Sequence, residues 1–415
     1  MEEKIQEMSI RGEAHRGELA AWGGADGVRP VAAAATTKGK PLRILIVGPS
    51  LDPPGGQAVQ AAHLLEHLPQ DASLEVSFLP INPRLPGPWG KVQAVKYVRT
   101  VVTMILYCAS LATRLRKYDV IHIFSASYLS FVLAPTPALL VARLYGKRSV
   151  LNYHSGQAED HLERWRRSAT ATIRLADRLV VPSAYLVEVF ARFGLRARAI
   201  HNFVATERFH FRERGSSPRP HFFSNRSFEP LYNVACTLRA FALIQQRFPE
   251  ASLTLAGDGS QRAELERLAA ELDLRHVTFT GCVLPERMPG LYDEADIFLN
   301  SSEIDNMPVS IIEAFAAGLP VVTTDAGGIP FIVADGQTGL ITKRGDYEAL
   351  AACAIRLLED DELRSTLTRN AREECRKYSW SAVRDQWLGL YGEVAGGLSL
   401  AKERSLEESA TASEH

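Results

Sequence analysis

Two carboxylates, Asp305 and Glu313, sit in the segment NSSEIDNMPVSIIEAFAAGLPVVTTDAGGIPFIVADGQTGL with seven residues between them. Pro308 stands where a first helical turn would start, its fixed φ suiting that position. Val309, Ile312 and Phe315/Ala316 then mark a buried helix face. The spacing predicts Asp305 on a loop and Glu313 on the following helix, both able to face one polyol ligand. Backbone N–H groups at the start of that helix are oriented to receive phosphate. A second candidate is the loop PSLDPPGGQ, where Gly55 and Gly56 would let the backbone approach a ligand closely. Gly257, in AGDGS, reads as a strand–helix turn that lines a ligand pocket.

These residues need a scaffold, and the apolar runs describe one. LRILIVG is a continuous apolar run closed by glycine, the pattern of a buried parallel strand. LEVSFLP, DVIHIF, KRSVLNYH and RLVVPS follow, separated by helical patterns. A second alternation runs from HFFSNRS through ASLTLAGDG, HVTFTG, ADIFLNSS, PVVTT and TGLIT. The expected fold is α/β: two tandem Rossmann-like doubly wound domains with an interdomain cleft. The expected limits are a disordered leader over 1–40, a first domain over 41–203, a linker over 204–219 and a second domain over 220–379. A C-terminal helix over 380–397, crossing back to the first domain, and a disordered tail over 398–415 complete the reading.

At 415 residues, with 46% apolar and 23% charged residues, both domains can bury a full core. The net charge of −1 argues against a globally basic nucleic-acid binder. It hides an asymmetry. Residues 41–203 carry 19 Lys and Arg against 10 Asp and Glu, and residues 204–415 carry 22 against 32. An anionic partner for the basic half is therefore expected. Five scattered cysteines form no metal or disulfide frame and read as thiols of a reducing compartment. No signal peptide is apparent. Val120–Ala142 is uncharged, but its two prolines, its serines and His122 read as a buried strand and helix rather than a membrane span.

The set of motifs resembles the retaining glycosyltransferases of family 4 (glycosyl transferases group 1), which have the GT-B fold. The resemblance covers roughly 42–395 and rests on the strand–PPGG–helix opening, RLVVPSAYL, LTLAGDGSQRAELERLA, VTFTG, LYDEADIFLNSS and EAFAAGLPVVTTDAGGIPFIVADGQTGLI. It implies transfer of a sugar from a nucleotide-diphosphate sugar to a glycan, lipid-linked or small-molecule acceptor, with retention. Donor binding falls to the second domain and acceptor binding to the first. By the same resemblance Glu313 binds the ribose hydroxyls and Asp305 faces the donor sugar, with Glu303 a rival for that role. Asn306, Met307 and Pro308 lie where backbone amides meet sugar and phosphate, and Gly55 and Gly56 lie beside the donor phosphates. His154 points into the cleft and Arg226 neutralises the diphosphate. His161 and Arg164, on the next helix, are candidates for acceptor contact.

Two departures stand out. The family's lysine beyond the arginine is absent from RSFEPLYNV, so Arg226 acts alone or another cation replaces it. Phe331 takes an acidic position in GGIPF. No Asp-x-Asp occurs, the nearest being Glu303-Ile304-Asp305, and with Arg226 available this favours a metal-independent reaction without a cofactor. The alternatives are a degenerate binding or scaffold subunit, or a sugar-nucleotide epimerase or phosphorylase. The expected location is cytoplasmic. Peripheral contact with the inner face of a membrane is expected through Thr100–Thr113, which Lys91, Lys96 and Arg99 precede and Arg114, Arg116 and Lys117 follow.

Overall fold

The structure, a computed structural model, describes residues 40–51, 56–83 and 96–412. Residues 1–39 of the leader expected over 1–40, Gly55, Lys91 and the last three residues of the expected tail lie outside the described residues. The first alternation gives β1 (Leu42–Gly48), α1 (Gly56–His67), β2 (Leu74–Pro80), α2 (Lys96–Arg114), β3 (Val120–Ser125), α3 (Tyr128–Leu133) and α4 (Pro135–Leu144). It continues with β4 (Arg148–Tyr153), α5 (Ala158–Arg164), α6 (Arg166–Ile173), β5 (Arg178–Val181), α7 (Ala184–Arg192) and the two-residue β6 (Arg198–Ala199). The second gives β7 (His221–Asn225), α8 (Val234–Arg247), β8 (Ser252–Ala256), α9 (Arg262–Glu271), β9 (Val277–Gly281), α10 (Met288–Glu294) and β10 (Ile297–Leu299). After these come α11 (Val309–Ala317), β11 (Val321–Thr324), β12 (Leu340–Thr342), α12 (Tyr347–Glu359), α13 (Asp361–Cys375) and α14 (Trp380–Ala412).

The strands form two six-stranded sheets, ordered β2-β1-β3-β4-β5-β6 and β12-β11-β10-β7-β8-β9. The pairings described are parallel, for example Phe222 beside Leu253 and Phe298 beside Val321. Parallel strands are covered on both faces, which is why they read as unbroken apolar runs. Val120–Ala142 resolves into β3 followed by α3 and α4, split at Pro135. Among the described residues no helix is long and apolar enough to cross a membrane.

By packing, the chain divides into two compact units. One runs up to Phe124 and includes Leu140–Arg148; the other holds Ser125–Leu139 and everything from Ser149 onward. Within the second unit, the stretch 204–219 is firmly anchored. The buried Arg214 guanidinium donates to the carbonyls of Arg212, Tyr292 and Ala295 at 2.6, 2.8 and 3.1 Å. Arg364 Nε in turn donates to the Arg214 carbonyl at 3.0 Å. Helix α14 continues to Ala412, beyond the limit near 397 read from the sequence. Residues 398–412 contain no proline and are rich in Leu, Ala and Glu, all good helix formers.

Candidate functional site

In the second sheet the strand order reverses between β7 and β10, which lie side by side. Ligands of open parallel sheets bind outside the carboxyl ends of the strands at such a reversal. Arg226 is the first residue after β7, and the loop 300–308 follows β10. The two elements that flank the reversal therefore carry the cation and the carboxylates singled out by sequence.

The loop is held by its own polar residues. Asn300 Nδ2 donates to Thr323 Oγ1 at 2.9 Å, and Ser302 Oγ to Asn300 Oδ1 at 2.8 Å. Ser301 and Thr237 hydroxyls meet at 2.7 Å. These side chains are buried and each finds a partner, as burial demands. The backbone turn at Asp305–Asn306 is backed by Gly327 and Gly328. A Cβ on Gly327 would stand 2.0 Å from the Asp305 carbonyl oxygen, and one on Gly328 1.9 Å from that of Asn306. That glycine pair is thus required by close backbone approach. Gly257 is similar: a Cβ there would lie 2.1 Å from the Arg226 carbonyl oxygen. It lets β8's end pass beside Arg226.

Helix α11 follows. Pro308 is its N-cap with an extended ψ of 110°, one residue before the first turn where the sequence placed it. The helix is buried almost all round, and Glu313 is its one acidic residue. Gly318, at φ 73°, closes it: its N–H donates to the Phe315 carbonyl at 3.1 Å and Leu319 N–H to that of Ala314 at 2.8 Å.

Arg226 and Asp305 form an ion pair, each side chain 11% exposed. Arg226 Nη1 also donates to Ser310 Oγ at 3.3 Å. Asp305 Oδ1 accepts the Asn306 N–H at 2.8 Å. Burial holds the Asp305 pKa above its ordinary value, although Arg226 and the hydrogen bonds from Asn306 and Ser302 pull the other way. Burial likewise pushes Glu313 up to about 7, opposed by Tyr292, Arg208 and Arg226. The Tyr292 hydroxyl stands 2.8 Å from Glu313 Oε2 and 3.0 Å from the Ser310 carbonyl, so its single proton serves two acceptors. Glu303 faces elsewhere: its Oε1 accepts from Asn233 Nδ2, at the start of α8, at 2.7 Å.

His154 follows β4. Burial pushes its pKa down to about 3, so its imidazole is neutral. Two residues on, Gly156 lies against the loop, a Cβ there standing 3.2 Å from the Asp305 carbonyl carbon. Ser183 Oγ donates to Asn306 Oδ1, and Asn202 N–H points at Met307 Sδ at 3.4 Å. Gly56 opens α1 and is exposed. Phe331 leans on Tyr185, ring centroids 6.2 Å apart.

One expectation is corrected. His161 is fully buried, its Nδ1 2.9 Å from the Tyr153 hydroxyl, among the rings of Tyr128, Phe131, Tyr153 and Trp165. It is a core histidine, pushed down to about 4 by burial, and is not exposed to an acceptor. Arg164 is exposed and paired with Asp160 at 2.8 Å. The sequence reading missed Tyr232, Tyr292 and Ser310. Among the described residues no group of three or more His, Cys, Asp or Glu is placed to hold a metal ion.

The model for glycosyl transferases group 1 matches residues 206–374, and that for Glycosyltransferase Family 4 matches residues 54–208. Among curated proteins, the chain is 29% identical over 289 residues to the sulfoquinovosyl transferase SQD2 of Arabidopsis thaliana. That alignment covers 64% of this chain and spans only 55% of the relative's length. It is 26% identical to an alpha-D-kanosaminyltransferase of Streptomyces kanamyceticus, over 88% of this chain and 98% of the relative. It is 27% identical to a phosphatidyl-myo-inositol mannosyltransferase of Mycolicibacterium smegmatis, over 86% and 95%. In fold it is similar to the sucrose-phosphate synthase of Thermosynechococcus elongatus, with TM-score 0.68 and 21% identity, covering 86% of this chain and all of that one. It is also similar in fold to Anabaena HepE in complex with UDP and glucose, with TM-score 0.65 and 18% identity, covering 84% and 99%.

Proposed function

Because the chain belongs to the family 4 (glycosyl transferases group 1) glycosyltransferases of the GT-B fold, matched from residue 54 to residue 374, we propose that it binds a nucleoside-diphosphate sugar at the β7–β10 reversal. It transfers the sugar to a hydroxyl acceptor with retention and without a metal. The supporting observation is the Arg226–Asp305 pair at that reversal, with Glu313 one helix away. Arg226 takes the diphosphate, Glu313 the ribose hydroxyls, and Asp305 the donor sugar. The backbone of Asn306 and Met307 meets sugar and phosphate, Pro308 having no N–H to offer, and neutral His154 contributes a hydrogen bond. We propose further that 41–203 takes the acceptor and 220–379 the donor. In the reaction the bond from the anomeric carbon to the diphosphate oxygen breaks. The acceptor oxygen bonds to that carbon on the same face, and its proton passes to the leaving diphosphate. No side chain acts as nucleophile; the site stabilises the charge that develops on the leaving group.

A thermal-shift panel of UDP- and GDP-sugars tests donor binding. At a ligand concentration 100 times Kd, binding to the folded state adds ~2.7 kcal/mol of stability. A flat response to every nucleotide sugar refutes the donor site.

The two carboxylates of Glu303-Ile304-Asp305 are separated by substitution. Asp305→Asn is expected to lower turnover roughly tenfold or more, because a charge-assisted contact contributes about 1.5–3 kcal/mol. Glu303→Gln keeps an oxygen acceptor for Asn233 and should stay within about twofold of wild type, a difference of a few tenths of a kcal/mol. A more damaged Glu303 variant places the sugar contact two residues earlier.

For the acceptor we propose a lipid-linked or membrane-surface molecule. No acidic residue occurs between Glu75 and Asp119. Helix α2 exposes Val101 and Ile105 one turn apart, and α4 exposes Leu140 and Leu144 in the same way. Arg116 lies over Tyr145 at the end of α4, its Cζ 4.5 Å from the ring centroid. Exposed apolar side chains on a stretch that carries cations and no acidic residue suit an anionic bilayer, each cation contributing about 1 kcal/mol. Wild-type protein should sediment with anionic liposomes at low salt, and charge reversal at Arg114, Arg116 and Lys117 should abolish this. Protein left in the supernatant makes a soluble acceptor the better reading.

A further inference from the structure

The guanidinium of Arg226 lies over the ring of Tyr232, its Cζ 4.1 Å from the centroid. We infer that Tyr232 is a positioning residue, an aromatic platform that presents Arg226 to the donor's diphosphate where the stretch 226–233 supplies no second cation. The inference rests on the reading of Arg226 as the diphosphate contact.

The platform is built by the local sequence. Pro230 opens a short 3₁₀ turn, Pro230–Tyr232, and Asn233 ends it in the left-handed region at φ 44°. That turn is tied to the loop carrying Asp305. The Leu231 carbonyl accepts the N–H groups of Glu303 and Ile304 at 2.9 and 3.1 Å. Asn233 Nδ2 reaches Glu303, and Ser301 Oγ donates to the Asn233 carbonyl at 2.7 Å. Ring and carboxylate are therefore joined through these hydrogen bonds, and the arginine is held against both.

The geometry suits an anion receiver. A planar guanidinium stacked on a ring keeps all its N–H groups in the plane and free for oxygen ligands. Here Nη2 meets Asp305 and Nη1 meets Ser310, while the buried Nε has no hydrogen-bond partner among the described residues. Stacking fixes a long, flexible side chain before a ligand arrives, so less ordering remains to be done on binding. A lysine would gain neither the planar stack nor the in-plane donors.

Titration with inorganic pyrophosphate and with UDP tests this on the full chain. Tyr232→Phe keeps the ring and should bind both as wild type does. Tyr232→Leu should weaken both roughly 2- to 30-fold, the range spanned by cation–π contacts from exposed to desolvated. Phenylalanine carrying one, two or three fluorines at position 232 should lower affinity stepwise, because fluorine withdraws the electron density that attracts the cation while the ring's shape is nearly kept. That graded loss reports a cation–π role even if the leucine variant folds poorly. Affinity that is flat across the fluorinated series overturns the inference. If Arg226→Ala itself leaves pyrophosphate and UDP binding unchanged, the reading of the donor site fails as well, whereas a flat series with a damaged Arg226→Ala removes only the platform.

Discussion

Arg226→Ala is expected to lower kcat/KM for the donor by on the order of 10²–10³, the usual cost of losing one preorganised group aimed at developing negative charge. The substitution removes the only cation paired with Asp305 among the described residues. It also leaves that carboxylate buried without a counter-ion. Breaking a buried ion pair on one side costs about 3–5 kcal/mol when the remaining charge stays ionised. The loss here should be smaller. Burial already holds the Asp305 pKa above its ordinary value with Arg226 in place. Without Arg226 the pKa rises further, and the carboxyl takes up a proton rather than bearing an unpaired charge. The expected variant is thus folded, moderately destabilised and nearly inactive. Steady-state kinetics beside a denaturant melt check this, and turnover within about threefold of wild type, under 1 kcal/mol by transition-state arithmetic, contradicts the assignment.

Glu313→Gln should weaken nucleotide-sugar binding roughly ten- to a hundredfold at pH 8, since each charge-assisted hydrogen bond to a ribose hydroxyl contributes about 1.5–3 kcal/mol. The effect carries a pH signature. Burial raises the Glu313 pKa from 4.5 to about 7. Below 7 the wild-type group carries a proton itself, so donor affinity should fall as pH drops through that value, and the gap between wild type and variant should narrow. The stability effect runs the other way. A carboxyl with a raised folded-state pKa costs the fold progressively as pH rises from the ordinary glutamate value to about 7, and by a constant amount above it. Glutamine removes that cost, so the variant should be no less stable than wild type at pH 8. Weaker binding without destabilisation separates a ligand role from a folding role. Isothermal titration at pH 6 and 8 supplies the measurement.

What the sequence made legible follows from what each residue answers to. The buried strands of the two sheets read directly, because burial on both faces writes a continuous apolar run, as in LRILIVG. One edge strand did not read: β6 has only two residues, too few for any period. In the site, Asp305 and Glu313 were legible through spacing and through Pro308, which are local signals. Tyr232 and Tyr292 were not. An aromatic residue in an amphipathic stretch reads as core, and nothing local says that its ring will carry a guanidinium or its hydroxyl meet a carboxylate 21 positions later. Gly327 and Gly328 were visible as a pair, but the carbonyls that exclude a Cβ come from Asp305 and Asn306 through tertiary approach. His161 shows the converse. Its position after His154 suggested a ligand contact, while the four surrounding rings come from α3, β4 and the end of α5.

The central claim is that the residues around the β7–β10 reversal activate a nucleotide sugar. Its most direct test is release of nucleoside diphosphate by the purified full chain. The protein is incubated with UDP- and GDP-sugars, with a lipid extract as acceptor, in the presence and absence of EDTA. The account predicts that one nucleotide series is turned over, that EDTA leaves the rate unchanged, and that Arg226→Ala abolishes it. Folded wild-type protein that releases no nucleotide from any of these sugars, and gains no thermal stability from them, would contradict it.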